Sequence, residues 1–315
     1  MYNNFLGDQS NSAGIDSTIF YDLDSSILVY DKISKTCFYN NVDNPLKLKS
    51  IRRVRKIAEK KYNKIDIASI GPRSASEYPQ CFLGINRKEE KRKIIKKCFK
   101  RTYDMLKEIR VKNLIPAGGS YCITGKFNSL QKYVAHPTKN EILKYFSKKK
   151  INIFDIDNYG QLLLSNNQIK INKNNINSNI PNKLRKRKYH YENVKNRFNL
   201  KNTFELAKKK YEFITKKIKI KKNFRIEIFA YENLKINNRQ EIDKKSILID
   251  KFTLTNNYKG KFYLLECHID KRLLYTCMTD RSNWNMAIGG SSMMFFRKPN
   301  IFVPDISYSL NFLRI

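Results

Sequence analysis

Short apolar runs alternate with long amphipathic stretches through the first half of the chain. Thr18-Ile19-Phe20-Tyr21 is β-prone and leads directly into Asp22-Leu23-Asp24-Ser25-Ser26. A short apolar run closed by polar turn formers is the pattern of a buried parallel strand. Residues 46–61 set Leu46, Ile51, Val54, Ile57 and Ala58 among lysines and arginines at helical spacing. Ile65-Asp66-Ile67-Ala68-Ser69 predicts a second strand, closed by Gly71-Pro72. Residues 87–110 carry Ile94, Ile95, Cys98, Phe99, Tyr103, Leu106 and Ile109 in a helical stripe, which predicts a long amphipathic helix. Asn140 to Phe146 predicts another helix. Ile151-Asn152-Ile153-Phe154 predicts a third strand ending at Asp155-Ile156-Asp157, and Leu162-Leu163-Leu164 a fourth. Strand and helix alternating in this way predict an α/β fold with a parallel sheet flanked by helices. Ligands of such sheets sit beyond the carboxyl ends of the strands. Asp22, Ser69 and Asp155 each follow a predicted strand.

The pattern changes past residue 165. Residues 166–182 are rich in Asn and low in complexity, the composition of a loop. Residues 171–222 hold 17 bases and 3 acids, with Tyr189, Tyr191, Phe198, Phe204, Tyr211 and Phe213 interleaved. That mixture fits a basic helical insert with two readings: a surface that contacts nucleic acid, or a solvated helix whose aromatic face belongs to the core. Phe224 to Phe229 and Lys261 to Leu265 predict strands, with a turn at Asn256-Asn257-Tyr258-Lys259-Gly260. The expected organisation is therefore a flexible N-terminus (1–14), an α/β core (15–170), a basic loop and helix (171–222) and a β-rich C-terminal region (223–315).

Composition adds a constraint on partners. The 315 residues carry a formal net charge of +35. A surplus of this size favours an anionic partner, although the Lys-, Asn- and Ile-rich usage of an AT-rich genome contributes to it. Residues 1–45 run against the trend: six acids (Asp8, Asp16, Asp22, Asp24, Asp31, Asp43) stand there beside only Lys32 and Lys35. None of the six cysteines forms a Cys-x-x-Cys pair, which excludes zinc-ribbon and thioredoxin readings. Their scatter fits a reducing compartment. No apolar run has membrane-spanning length, and Met1 to Ser12 lacks the basic-then-apolar pattern of a secretion signal. The expectation is an intracellular protein with no membrane partner.

The chemistry centres on Ile19-Phe20-Tyr21-Asp22-Leu23-Asp24-Ser25-Ser26-Ile27-Leu28. Two carboxylates two residues apart at a strand end suit covalent phosphoryl transfer: the first attacks phosphorus, and the second protonates the leaving oxygen. The plain alternative is a capped turn. Ser69, at the end of the second strand, offers a hydroxyl to a phosphoryl oxygen. Asp155 and Asp157, with Asp155 favoured and Asp157 the alternate, close the third predicted strand with hard oxygen donors. Lys139, in His136-Pro137-Thr138-Lys139-Asn140, precedes the helix that leads into the Asp155 strand; Lys132 and Lys126 are the alternatives to it. Gly118 to Lys126 is one residue too long for a P-loop, and Phe127 stands where Ser or Thr is required. His136, His190 and His268 lack metal-ligand spacing.

These segments resemble the motifs of the haloacid dehalogenase (HAD) phosphatase superfamily: Asp-x-Asp after an apolar strand, a strand ending in Ser69, a lysine at Lys139 and acids at Asp155 or Asp157. Within it, motif order and chain length are similar to the 38K nucleocapsid-assembly family of baculoviruses and nudiviruses, over residues 15–160. The resemblance implies a HAD-like Rossmannoid fold and a Mg²⁺-dependent phosphatase. Its catalytic residues would be Asp22, Asp24, Ser69 and Lys139, and Asp22, Asp24, Asp155 and Asp157 its candidate metal ligands. It further implies a phosphorylated basic DNA-packaging protein as substrate, capsid proteins as partners, and action in a host nucleus or a virion nucleocapsid. The competing expectation is a non-enzymatic nucleic-acid-binding structural protein, for example an organellar ribosomal or virion component.

Overall fold

The computed structural model describes residues 2–6, 25–42, 46–74, 76–118, 121–156, 161–165, 168–172, 186–237, 239 and 241–315. The first sheet has six strands in chain order: β1 (Tyr2–Leu6), β2 (Ser25–Asp31), β3 (Thr36–Asn40), β4 (Ile67–Ile70), β5 (Asn113–Pro116) and β6 (Asn152–Ile153). β1, β2 and β3 pair antiparallel, and β3 through β6 are parallel. Each parallel step passes through a helix: α1 (Leu48–Tyr62), α2 (Arg87–Ile109) and α3 (Lys139–Ser147). The three steps advance in one direction, so right-handed crossovers lay all three helices on one face.

Local chemistry fixes these helices. Asn86 caps α2 by accepting from the Glu89 N–H, and Glu89 and Glu90 complement its first turn. Thr138 and Glu141 close a capping box on α3. The apolar stripes meet the sheet in one core that joins Leu28, Tyr39, Ala68 and Leu114 to Ile51, Val54, Leu106 and Phe146. Observed α1, α2, α3, β4 and β6 lie within a few residues of their expected positions. The strand expected at 18–21 lies outside the described residues. Next to β4 stands β3, a five-residue strand whose alternating burial is too short to stand out in sequence. The strand expected at 162–164 is β7 (Gln161–Ser165), which pairs with β8 (Gln168–Asn172) in a separate two-stranded ribbon.

A second sheet has the order β10 (Leu248–Asn256), β9 (Asn223–Tyr231), β11 (Phe262–Asp270), β12 (Met294–Lys298). β9 and β11 are parallel, and the outer strands are antiparallel to them. The turn around Gly260 therefore links two strands that are not neighbours, since β9 lies between them. Helices α4 (Leu200–Lys217), α5 (Lys271–Met278), α6 (Trp284–Gly289) and α7 (Pro304–Ser309) complete this half. Its core gathers Phe204, Tyr211, Ile226, Ile228, Leu274 and Trp284, and it also takes in Phe82, Ile123, Phe127 and Leu130 from the middle of the chain. Among the described residues, no helix is long and apolar enough to cross a membrane.

Candidate functional site

The carboxyl ends of the parallel strands define one edge of the first sheet. β2 runs antiparallel to β3, with Ile27 opposite Asn40, so Ser25 opens β2 on this same edge. β3 leaves it through Asn41, whose N–H donates to the Ser69 carbonyl at 2.9 Å. Ser69 is in register with Asn40 on one side and Ile115 on the other, and it is buried. β6 leaves through Phe154, whose N–H donates to the Leu114 carbonyl at 2.9 Å, and then Asp155. The start of α3 sets Lys139 against Asp155, and the two form an ion pair. Neighbouring strands are ~4.8 Å apart, so Ser69 and Asp155, with β5 between them, stand roughly 10 Å apart along the edge.

The loops beyond β4 and β5 pack tightly. A Cβ on Gly71 would come within 3.3 Å of the Ala117 carbonyl oxygen, and Gly118 has φ +83°, a conformation that favours glycine. Arg73 uses this closeness: its Nη1 donates to the Gly118 carbonyl at 2.8 Å. His136 and Tyr121 meet in a T-shaped contact with centroids 5.0 Å apart, and the Tyr121 hydroxyl donates to the Ser76 carbonyl at 2.8 Å. Burial, and then the nearby Arg73 charge, hold the His136 imidazolium below its usual range.

Several buried polar atoms at this edge have no hydrogen-bond partner among the described residues: Arg73 Nε and both amide atoms of Asn41, while the His136 ring nitrogens have only the Ser74 backbone beside them. Unpaired buried polar groups are uncommon and costly. Their concentration where ligands of parallel sheets bind marks the edge as a receptive surface.

Of the residues singled out in the sequence, Ser69, Lys139 and Asp155 lie on this edge. Asp22, Asp24 and Asp157 lie outside the described residues. Lys126 is committed elsewhere: its ammonium is 3.2 Å from Asp270 and 3.5 Å from Glu192 in the second half, and it faces the Tyr191 ring. Lys132 lies against the Tyr133 ring. Asn41, Arg73 and His136 are additions from the structure; an arginine directly after the strand-closing Gly71-Pro72 was the one available sequence signal. Asp155 supplies a hard oxygen donor suited to Mg²⁺. Among the described residues no three His, Cys, Asp or Glu side chains are grouped to hold a metal ion.

The basic stretch resolves differently from a stacking platform. Tyr191, Phe204 and Tyr211 are buried, and Tyr189 and Phe198 pack against the same core. Phe213 alone of the six expected aromatics is largely exposed, at 68%.

No protein-family model, curated protein or solved structure matches this chain.

Proposed function

We propose that the chain is a HAD-like phosphatase that acts, with Mg²⁺, on a phosphoprotein at the carboxyl ends of β3 to β6. The supporting observation is the shared edge: Ser25, which follows Asp24, opens β2 on the edge that carries Ser69 and the Lys139–Asp155 pair. In this reading an Asp22 oxygen attacks phosphorus, and the bond from phosphorus to the leaving oxygen breaks. Asp24 gives that oxygen a proton and later takes one from the water that hydrolyses the aspartyl-phosphate. Ser69 donates a hydrogen bond to a phosphoryl oxygen, and Lys139 offsets the negative charge. Mg²⁺, held by Asp22, Asp24 and Asp155 with Asp157 as the alternate, supplies further charge neutralisation when bound. The resemblance to the 38K family extends the proposal to a viral setting: a phosphorylated basic DNA-packaging protein as substrate, capsid proteins as partners and the host nucleus as location.

The test is turnover of p-nitrophenyl phosphate and of a phosphoserine peptide by the purified chain with Mg²⁺, beside Asp22→Asn. The expected loss is on the order of 10³-fold or more. Equal turnover by the two proteins, or none with any divalent metal, overturns the proposal.

A second reading, a nucleic-acid-binding structural protein, is favoured by one observation: Lys201, Lys209, Lys210, Lys216 and Lys217 of α4 all face solvent. It predicts affinity for nucleic acid that falls steeply with salt. Salt-insensitive binding, or none, counts against it.

A further inference from the structure

Among the described residues, the crevice sets two cation-capable groups, Arg73 and His136, close together, with no acid among the groups that act on the imidazole. Arg73 follows β4 by three residues, and His136 precedes Lys139 by three, so both sit over the carboxyl edge. Arg73 spends one nitrogen on the Gly118 carbonyl, which fixes its guanidinium over the ends of β4 and β5. Its Nε is buried without a partner, and the ring nitrogens of His136 are buried with the Ser74 backbone beside them, which favours the imidazolium. The charged groups that act on His136 are Arg73 and, less strongly, Lys91; the Ser74 backbone acts the other way with an effect between theirs, and Tyr121 packs against the ring in a T-shaped contact. Lys91 reaches over from α2, where its ammonium donates to the Lys132 carbonyl at 2.9 Å. A buried guanidinium nitrogen without an acceptor, beside an imidazole that burial keeps neutral, is costly. An oxyanion placed between them reverses that cost, because each N–H then donates to a charged acceptor. Arg suits this task through its planar fork of donors.

We infer that Arg73 and His136 form a recognition seat for an oxyanion, a phosphoryl group or its close analogue, carried by the ligand of this crevice. The inference rests on placing the functional site at the carboxyl edge of the first sheet, but not on Asp22 chemistry. Anion binding draws a proton onto His136, since the imidazolium donates where the neutral ring cannot do so from both nitrogens. Affinity therefore rises as pH falls from 8 to 6.

The experiment is titration calorimetry of the full chain with inorganic phosphate and with phosphoserine, without metal, at pH 8 and pH 6. Wild type, Arg73→Met, His136→Gln and Asp22→Asn are compared, and thermal unfolding confirms that each is folded. Arg73→Met is expected to bind about tenfold to a hundredfold more weakly. His136→Gln loses the pH dependence. Arg73→Lys, which keeps the charge and the fold but loses the fork, falls between. Equal binding by wild type and both Arg73 variants, or no binding by wild type, overturns the seat. Arg73-dependent binding without turnover upholds the seat and removes the phosphatase. Turnover sensitive to Asp22→Asn with binding indifferent to Arg73 does the reverse.

Discussion

The two sheets deal with charge at the ends of their parallel strands in opposite ways. In the second sheet β11 ends at Asp270, which is fully buried. Arg272 grips its two oxygens at 2.9 and 2.8 Å, the Arg272 N–H donates to it at 3.1 Å, and Lys126 reaches it at 3.2 Å. The same cluster draws in Glu192, so one network ties the middle of the chain to the C-terminal half. In the first sheet the equivalent edge holds Arg73, His136 and Asn41 with polar atoms left unpaired. One geometry thus yields two outcomes. Where the chain supplies its own counter-charges, the strand ends become a structural tie; where it leaves donors open, they become a place for a ligand.

The sharpest way to break this contrast is to remove one acid from each edge. Asp270→Ala leaves Lys126 and Arg272 with their cationic groups mostly buried and their carboxylate gone. The expected cost is roughly 3–5 kcal/mol of folding stability. Asp155→Ala removes one partner of a half-exposed Lys139, and the expected cost is under about 1 kcal/mol. Urea unfolding midpoints of both variants decide the matter. Similar losses at the two sites would show that the first edge is also a structural tie.

The second sheet also carries a pH liability of its own. The His268 ring stacks on Phe229 with centroids 4.7 Å apart, and its Nδ1 is 3.0 Å from the Tyr231 hydroxyl. Burial pushes its pKa down to about 4. The folded state therefore selects the neutral ring, whereas the unfolded chain takes up a proton near pH 6.5. The stabilisation is fully present above about 6.5 and is lost as pH falls towards 4, by at most about 3 kcal/mol. Urea midpoints measured from pH 7.5 to 4.5 should fall more steeply in wild type than in His268→Gln. Parallel slopes would assign the acid sensitivity to other groups.

How much of this was legible beforehand depended on the length of each pattern. The stripe from Ile94 to Ile109 spans several helical turns, and α2 runs over Arg87–Ile109 as that stripe predicts. Apolar runs located β4 and β6, but a run does not tell which strand lies beside which. β7 is apolar enough for a core strand and pairs instead in a ribbon with β8. β3 escaped notice because five alternating residues carry too little signal, although Asn41 at its end touches Ser69. Ser69 and Asp155 were visible as polar residues closing apolar runs. Arg73 and His136 were not, because their significance lies in missing partners, and a missing partner is a property of three-dimensional packing. The basic stretch was ambiguous for a related reason: spacing shows that Tyr191, Phe204 and Tyr211 share a region with lysines, and only packing shows that they face inward.

A smaller effect sharpens the picture of the first edge as a surface held open at some cost. Asn41 is 4% exposed, and neither of its amide atoms is paired. Replacing it by Leu, of similar volume, removes the buried amide without opening a cavity. Asn41→Leu is expected to gain about 1 kcal/mol of stability, while phosphate affinity or turnover declines. The same pair of measurements, unfolding midpoint and phosphate titration, checks both directions. A loss of stability would mean that the amide has found partners, and the edge would then resemble the second sheet more than the contrast allows.

The smallest expected effect concerns α4, where the exposed Phe213 ring stands among solvated lysines. Phe213→Ser touches no core contact, and its expected change in stability lies within about 0.5 kcal/mol. If nucleic acid binds this face, the contact is to phosphates, because Phe204 and Tyr211 are locked in the core and only Phe213 is open for stacking. Lys209→Glu with Lys210→Glu should then lower the salt dependence of single-stranded DNA binding by about two units of slope, and Phe213→Ser should leave the affinity nearly unchanged. A base-stacking loss from Phe213→Ser, worth about 1–3 kcal/mol where such stacking operates, would instead make this single ring the recognition element. In that case the charge on α4 would act as a guide to the strand and not as its grip.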